Sequence, residues 1–514
     1  TNQAGISSPQ GEPALGAGES ASVPGTAAIA NAIFDATGVR FRAPPFTPEV
    51  VRQGLAAAGQ LLPGAGGGGD GEAENATNSG ANSVNSTPTN ALKHLKDARW
   101  PKGRSVAATV AALLAGAVGV VLAALVPRAI APVQLSPGAY SPELIERGRV
   151  LAALGDCMVC HTTPGGVPGT GGRAMHTPFG MVYTTNLTPD ADTGLGRWSF
   201  SAFQRAMREG IARDGRHLYP AFPYPNYARM SDDDLQALYA WLMSRPAVSA
   251  PTPPAEMRFP FNQRPALAAW NALNHDPRPY QNDPSQSLEW NRGAYLVQGL
   301  GHCGACHTPR DALGAERTGQ AFLSGALVDG WEAPALTAAS TSAVPWDAEA
   351  LYRYLRHGHS PRHGSAGGPM TEVVRELQAV PDSDIRAMAT YLASFSAPAP
   401  AQAELDAQAR QAVALAAHTQ DRLLGPTQRL FENACGACHH DGDGPTVLGA
   451  NRPLALSSKL TSDRPDNLIR TVLEGVREPA TRELGFMQSF ADVLSDAQIA
   501  ELASYLRARY APDR

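Results

Sequence analysis

The chain has 514 residues, room for about three to four domains at roughly 150 residues each. It is 43% hydrophobic and 17% charged, which supports buried cores, and its 50 Gly and 43 Pro require long loops and linkers. A formal charge of -5, from 42 Lys plus Arg against 47 Asp plus Glu, excludes nucleic acid as a partner, and 7% aromatics with 6 cysteines exclude a base-stacking surface and a disulfide-dense scaffold.

The first stretch with a pattern is Gly16-Ala17-Gly18-Glu19, followed by PGTAAIANAIFDATGVRFR from Pro24 to Arg42 and by Pro45-Phe46-Thr47-Pro48. From the residues alone it reads as an Ala-rich amphipathic helix with a nearby turn. It also resembles the C-terminal end of the molybdenum subunit of xanthine oxidase family hydroxylases. In that family the Glu of the Gly-x-Gly-Glu turn is the base toward a molybdenum-bound hydroxide, so the resemblance implies a catalytic role for Glu19. The several hundred residues that would complete its pocket are not on this chain. Residues 1–52 are thus expected to be a remnant of such a subunit, and 53–104 a flexible linker rich in Gly, Ala, Asn and Ser with a basic flank.

Val106 to Val126 carries no charge, is rich in Ala, Val and Leu, and is long enough to cross a bilayer. A single transmembrane helix is expected at 105–127. Lys93, Lys96, Arg99, Lys102 and Arg104 precede it and only Arg128 follows closely. The positive-inside rule then places everything beyond the helix on the periplasmic side of a bacterial inner membrane. A signal peptide ending at Ala129-Ile130-Ala131 is the competing reading.

All the cysteines fall in three CxxCH motifs: Cys157 and Cys160 before His161, Cys303 and Cys306 before His307, Cys435 and Cys438 before His439. Two intervening residues on a helical turn bring both sulfurs to one side, and the next residue points its imidazole the same way. This is the attachment pattern of c-type haem, with the cysteines as thioether sites and His161, His307 and His439 as axial iron ligands. Three covalent haem c groups are expected. Zinc or a redox dithiol competes for the CxxC part, but three pairs do not combine evenly into four-cysteine sites, and neither explains a His after every pair.

Each motif follows a helix-like stretch, Pro142–Gly148, Leu288–Tyr295 or Thr427–Phe431, and each repeat ends in a closing helix. The closers read SDDDLQALYAWL from Ser231, PDSDIRAMATYL from Pro381 and SDAQIAELASYL from Ser495, each with an acidic or hydroxyl cap ahead of apolar residues at helical spacing. This layout resembles the class I cytochrome c fold. The expected architecture is mainly α, three consecutive class I cytochrome c domains at 138–250, 284–398 and 420–514 after a single transmembrane helix.

A Met opposite the His raises a haem's potential. Met370, in Gly368-Pro369-Met370-Thr371, and Met487, in Gly485-Phe486-Met487-Gln488, lie ahead of the second and third closers and are the expected sixth ligands. The first repeat departs from this. Its stretch Tyr219-Pro220-Ala221-Phe222-Pro223-Tyr224-Pro225 resembles cytochrome subunits of membrane-bound bacterial alcohol and aldehyde dehydrogenases, with Phe222 where their ligand Met stands. Met230 is the nearest downstream replacement, with Met175, Met181 and His176 behind it, and an open iron is the alternative.

The ensemble resembles bacterial hydroxylases of the nicotinate dehydrogenase kind, in which a molybdenum domain is followed by three cytochrome c domains. The resemblance implies a dehydrogenase catalytic subunit with a molybdenum cofactor, a small [2Fe-2S] partner, since every Cys here is committed to haem, and quinone or a terminal oxidase as acceptor. The expectation is a membrane-anchored triheme cytochrome c, the electron-transfer component of an oxidoreductase that does not itself convert the organic substrate. Three alternatives stand beside it: the cytochrome subunit of a quinoprotein alcohol dehydrogenase, a first haem that reduces peroxide, and a zinc-binding interaction module.

Overall fold

A computed structural model describes residues 33–34, 37–40, 48–57, 127–134, 140–396, 398, 400–420, 425–440 and 453–512. The chain divides into two units, Thr1–Lys102 and Gly103–Arg514. The first contains helix α1 (Pro48–Ala57). Glu19 lies outside the described residues.

The second unit is mainly helical and built on a recurring pair, a helix before each CxxCH and the closing helix that crosses it. The first pair is α2 (Pro142–Leu154) with α6 (Asp232–Met243), preceded in chain order by α3 (Cys157–Cys160), α4 (Phe200–Glu209) and α5 (Tyr224–Tyr227). Strands β1 (Ala174–Thr177), β2 (Gly180–Tyr183) and β3 (Glu256–Met257) form a small antiparallel sheet in the order β1-β2-β3. Helix α7 (Ala266–Asn274) leads to the second pair, α8 (Leu288–Gln298) with α12 (Asp382–Ala393). Between them lie α9 (Gly304–His307), the hairpin β4 (Ala326–Val328) and β5 (Trp331–Ala333), α10 (Ala348–His357) and α11 (Pro369–Leu377). After α13 (Gln402–Gln420), the third pair is α14 (Pro426–Ala434) with α16 (Asp496–Tyr510), with α15 (Asp466–Glu474) between.

Local chemistry starts these helices where the sequence suggests. The hydroxyls of Ser141, Ser231 and Ser287 accept the backbone N–H groups of Leu144, Asp234 and Trp290, and Ser495 forms a reciprocal capping box with Gln498. The closer α12 departs from the expected cap. Pro381 is its N-cap and supplies no side-chain bond, so Asp382 and Asp384 in the first turn offset the helix dipole instead.

Glycine sets the crossings of the first two pairs. A Cβ on Gly148 would strike the backbone of Ala237 and fall 2.6 Å from Trp241 Cβ, and one on Gly293 would strike Ala387 and fall 2.7 Å from Tyr391 Cβ. An ion pair repeats with the crossing. Arg147 Nε donates to Asp234 at 2.9 Å, and Arg292 binds Asp384 through two bonds of 2.9 and 2.8 Å. The first two repeats share one apolar core, running from Leu151 and Leu154 through Leu235 and Leu238 to Leu296, Ile385 and Leu392. The third has its own, around Phe431, Leu468, Leu502 and Leu506.

The expected membrane helix is corrected. Among the described residues no helix is long and apolar enough to cross a membrane, and 106–126 itself lies outside them. The expectation rested on a charge-free run rich in Ala, Val and Leu, and low charge does not by itself make a spanning helix. The segment directly after the run, 127–134, is fastened to the first repeat, with Ile130 and Val133 donating to the carbonyls of Arg213 and Arg197.

Candidate haem-attachment sites

Each CxxCH begins where the preceding helix ends, and the turn between them is tight. In the first site Gly155 and then Asp156, in the left-handed region at φ 49°, deliver the chain into α3. His302, at φ 36°, does the same in the second. Each motif closes on itself, with His161, His307 and His439 donating backbone N–H to the carbonyls of Cys157, Cys303 and Cys435 at 3.0, 2.9 and 2.9 Å. None of the six cysteines is in a disulfide, although each pair stands on one helical turn.

The imidazoles carry the strongest indication of a ligand. His161 Nδ1 lies 2.6 Å from the Thr185 carbonyl, just beyond β2, and His307 Nδ1 lies 2.7 Å from the Pro334 carbonyl, just beyond β5. A carbonyl only accepts, so Nδ1 holds the proton and Nε2 presents its lone pair. That is the tautomer and orientation an axial iron ligand needs, and the carbonyl is its outer support. Burial holds both imidazoles below the ordinary histidine pKa, in the neutral form that binds metal. His439 is likewise lowered, by burial and then by His440, and its buried Nδ1 has no hydrogen-bond partner among the described residues.

The cysteines fit thioether formation better than the competing chemistries. Burial pushes the Cys157 and Cys303 thiols up to about 12 and those of Cys306 and Cys435 to about 11. Dithiol exchange and zinc binding use thiolates, which this burial disfavours. Among the described residues no group of three or more His, Cys, Asp and Glu side chains is arranged to hold a metal ion.

Met370 occupies the first turn of α11 and packs on the same core as Cys303. Met487 packs on the same core as Cys435, its backbone exchanging two hydrogen bonds with Val476 at 2.8 and 3.1 Å. Met230 is 1% exposed and lies in the core against which Cys157 and Phe222 pack. It stands directly before the closing-helix cap, where the other repeats have the buried Val380 and Leu494. Phe222 packs on Tyr227, with ring centres 5.3 Å apart. Met175 and His176 lie on β1 and Met181 on β2, with His176 exposed.

Reading the motifs singly misses how the first two sites meet. Leu154-Gly155-Asp156-Cys157 and Leu300-Gly301-His302-Cys303 pack reciprocally, with Leu300 against Gly155 and Leu154 against Gly301. The matching Leu-Gly-x-Cys tetrads were the available signal. Asp156 faces Glu372 and Glu376 of α11, and its charge reaches Cys303 and Cys306. The second and third repeats meet elsewhere: Glu483 accepts from His357 and His359 at 2.9 and 3.1 Å, Asn467 donates to the Glu332 carbonyl at 2.7 Å, and Lys459 donates to the Ser365 carbonyl.

Comparison with protein families matches residues 145–246 to Cytochrome c and residues 424–506 to Cytochrome C oxidase, cbb3-type, subunit III. The chain is 50% identical over 507 residues to a nicotinate dehydrogenase subunit of Pseudomonas putida, an alignment covering 98% of this chain and 40% of that protein. It is 35% identical over 402 residues to the fructose dehydrogenase cytochrome subunit of Gluconobacter japonicus, covering 74% and 82% of the two chains. It is 34% identical over 377 residues to the cytochrome c subunit of the quinone-linked alcohol dehydrogenase of Gluconacetobacter polyoxogenes, covering 71% and 80%.

Proposed function

Because the chain belongs to the family of cytochrome c subunits of bacterial dehydrogenases, we propose that it carries three haem c groups and relays electrons from a dehydrogenase catalytic subunit to an acceptor, quinone or a terminal oxidase. The observation that carries this reading is the pair of imidazoles, His161 and His307, each held at Nδ1 by a backbone carbonyl with Nε2 left for iron. When bound, each haem accepts and returns one electron at a time. The chain's own work is to fix the six cysteines for thioether bonds and to aim the three imidazoles. The organic substrate is converted on the partner. Haem attachment by thioethers is extracytoplasmic in this family, so the haem-bearing repeats are placed on the periplasmic side.

Met370 and Met487 are assigned as sixth ligands of the second and third haems and Met230 as that of the first. The support is an exchange of residue types. The second and third repeats pair a Met ahead of the closing helix with an aliphatic residue before the cap, Met370 with Val380 and Met487 with Leu494, whereas the first pairs Phe222 with Met230. In each repeat one of the two positions holds a thioether.

The partner is assigned to the molybdenum hydroxylase class with a small [2Fe-2S] subunit. The resemblance of the stretch around Glu19 supports this, as does the alignment of 98% of the chain with the nicotinate dehydrogenase subunit, against 71–74% with the other two relatives. The test is substrate-driven haem reduction in the complex purified with its native partners. Nicotinate, and neither ethanol nor fructose, is expected to reduce the haems anaerobically in a complex containing stoichiometric molybdenum. Reduction by ethanol in a molybdenum-free complex would instead make the partner a quinoprotein.

A further inference from the structure

Asp156 is a carboxylate in a place that disfavours its charge. It is 8% exposed, and its buried Oδ1 accepts no hydrogen bond among the described residues. It stands on the seam between the first two attachment sites, one residue before Cys157 and beside the Leu300–Gly155 contact. The residues at the corresponding position in the other repeats are His302 and Ala434, so the carboxylate is specific to the first.

The groups that face Asp156 do not neutralise it. From α11 come Glu372 and Glu376, both carboxylates, and the nearby Arg375 is paired with Glu372 at 2.6 Å. Across the seam, Cys303 and Cys306 feel its charge together with that of Glu316, and Arg310, the cation on that side, bonds the carbonyls of Ala305 and Gly314. On its own side Tyr227 is buried beside it, and Arg173 is bound to the Val159 carbonyl. A buried carboxylate without a partner is stabilised by taking a proton, and more so when negative charge is added nearby.

We propose that Asp156 is a redox-linked proton site for the haems on Cys157–Cys160 and Cys303–Cys306, binding a proton when an electron arrives and releasing it when the electron leaves. The proposal rests on the reading that these two motifs carry haem. The balance is simple: the dehydrogenase partner supplies one electron, ferric iron becomes ferrous, and one proton from solvent forms an O–H bond on the Asp156 carboxylate. Reoxidation returns both. Burial, with Glu376 and then Glu372 adding to it, pushes the carboxyl up to about 7, where a change of one charge at a neighbouring haem alters its protonation at neutral pH.

Spectroelectrochemical titration of the holoprotein between about pH 5 and about pH 9, either side of that value, tests this. In the wild type, the midpoint potential of at least one haem is expected to fall as pH rises. Asp156→Asn should abolish the fall and leave the potential higher at the alkaline end, with the haem count unchanged. Glu376→Gln keeps the acid but removes a neighbouring negative charge, and should move the inflection to lower pH. In the wild type, a reduced-minus-oxidised infrared spectrum should gain a protonated-carboxyl band. Flat wild-type potentials, or a slope undiminished in Asp156→Asn, would overturn the proposal. A pyridine haemochrome count showing no haem on either motif would overturn the underlying reading itself, which separates the two failures.

Discussion

Leu300 lies so close to Gly155 that a Cβ on the glycine would fall 2.7 Å from Leu300 Cδ1, and the reciprocal approach of Leu154 Cδ1 to Gly301 would be 3.7 Å. The two CxxCH sites are therefore joined through their own entry turns, over the core that the first two repeats share. Leu300 is 3% exposed. Leu300→Ala should destabilise the holoprotein by about 2–5 kcal/mol through the cavity it leaves, and weaken this seam between the haem sites. Thermal unfolding of variant and wild type checks it.

The crossing glycines make a sharper comparison. Gly148→Ala drives a methyl group into the Ala237 backbone, which has no flexible end to yield, and should cost about 1–3 kcal/mol. Gly425→Ala is the control. Gly425 precedes the corresponding helix of the third repeat, has extended backbone at φ 165°, and a Cβ there meets nothing within 4 Å. It should leave the unfolding midpoint nearly unchanged.

Replacing the three methionines singly should give three equivalent spectra. Met230→Leu, Met370→Leu and Met487→Leu should each remove methionine ligation from one haem and lower that haem's potential, leaving the other two in place. Near-infrared absorption of the ferric protein and a redox titration read this directly. A normal spectrum for Met230→Leu would return the first haem to an open or differently ligated iron.

His363 predicts an acid-side loss of stability. It is fully buried, its ring stacks on Trp346 at 3.6 Å, and its nitrogens bond Ser360 and the Val344 carbonyl at 2.9 and 3.0 Å. Burial lowers its pKa to about 4. Because this folded-state value lies below the unfolded value of about 6.5, the unfolded chain binds the proton first as pH falls. The stabilisation is fully present above about pH 6.5 and is lost down to about pH 4, amounting to about 3 kcal/mol across the window. Denaturant unfolding at several pH values, with His363→Gln showing a flatter profile, measures it.

What was legible in the sequence was local. The CxxCH motifs, the hydroxyl caps of α6 and α16 and the apolar spacing of the closing helices are short-range patterns, and the helices stand where those patterns put them. What depended on distant contacts was not legible. The Leu154–Gly301 and Leu300–Gly155 seam, the shared core and the facing of Asp156 by Glu376 join residues more than a hundred positions apart. The Val106–Val126 run lies outside the described residues, and among those no helix is long and apolar enough to cross a membrane, so a charge-free composition there does not establish a spanning helix. The third repeat shows a further limit. Its motif and closer match the others in sequence, but without a crossing glycine α14 meets α16 through Phe431 and Tyr505, with ring centres 5.8 Å apart.

The central claim is that all three CxxCH motifs hold haem and that each haem stores one electron. The most direct measurement is a pyridine haemochrome count on protein matured in a c-haem-assembling host, followed by an anaerobic reductive titration of the same sample. Three covalent haems per chain, filled by three electrons with the α band rising in step, are the expected result. Fewer haems than motifs, or haems that take up no electrons, would contradict the account.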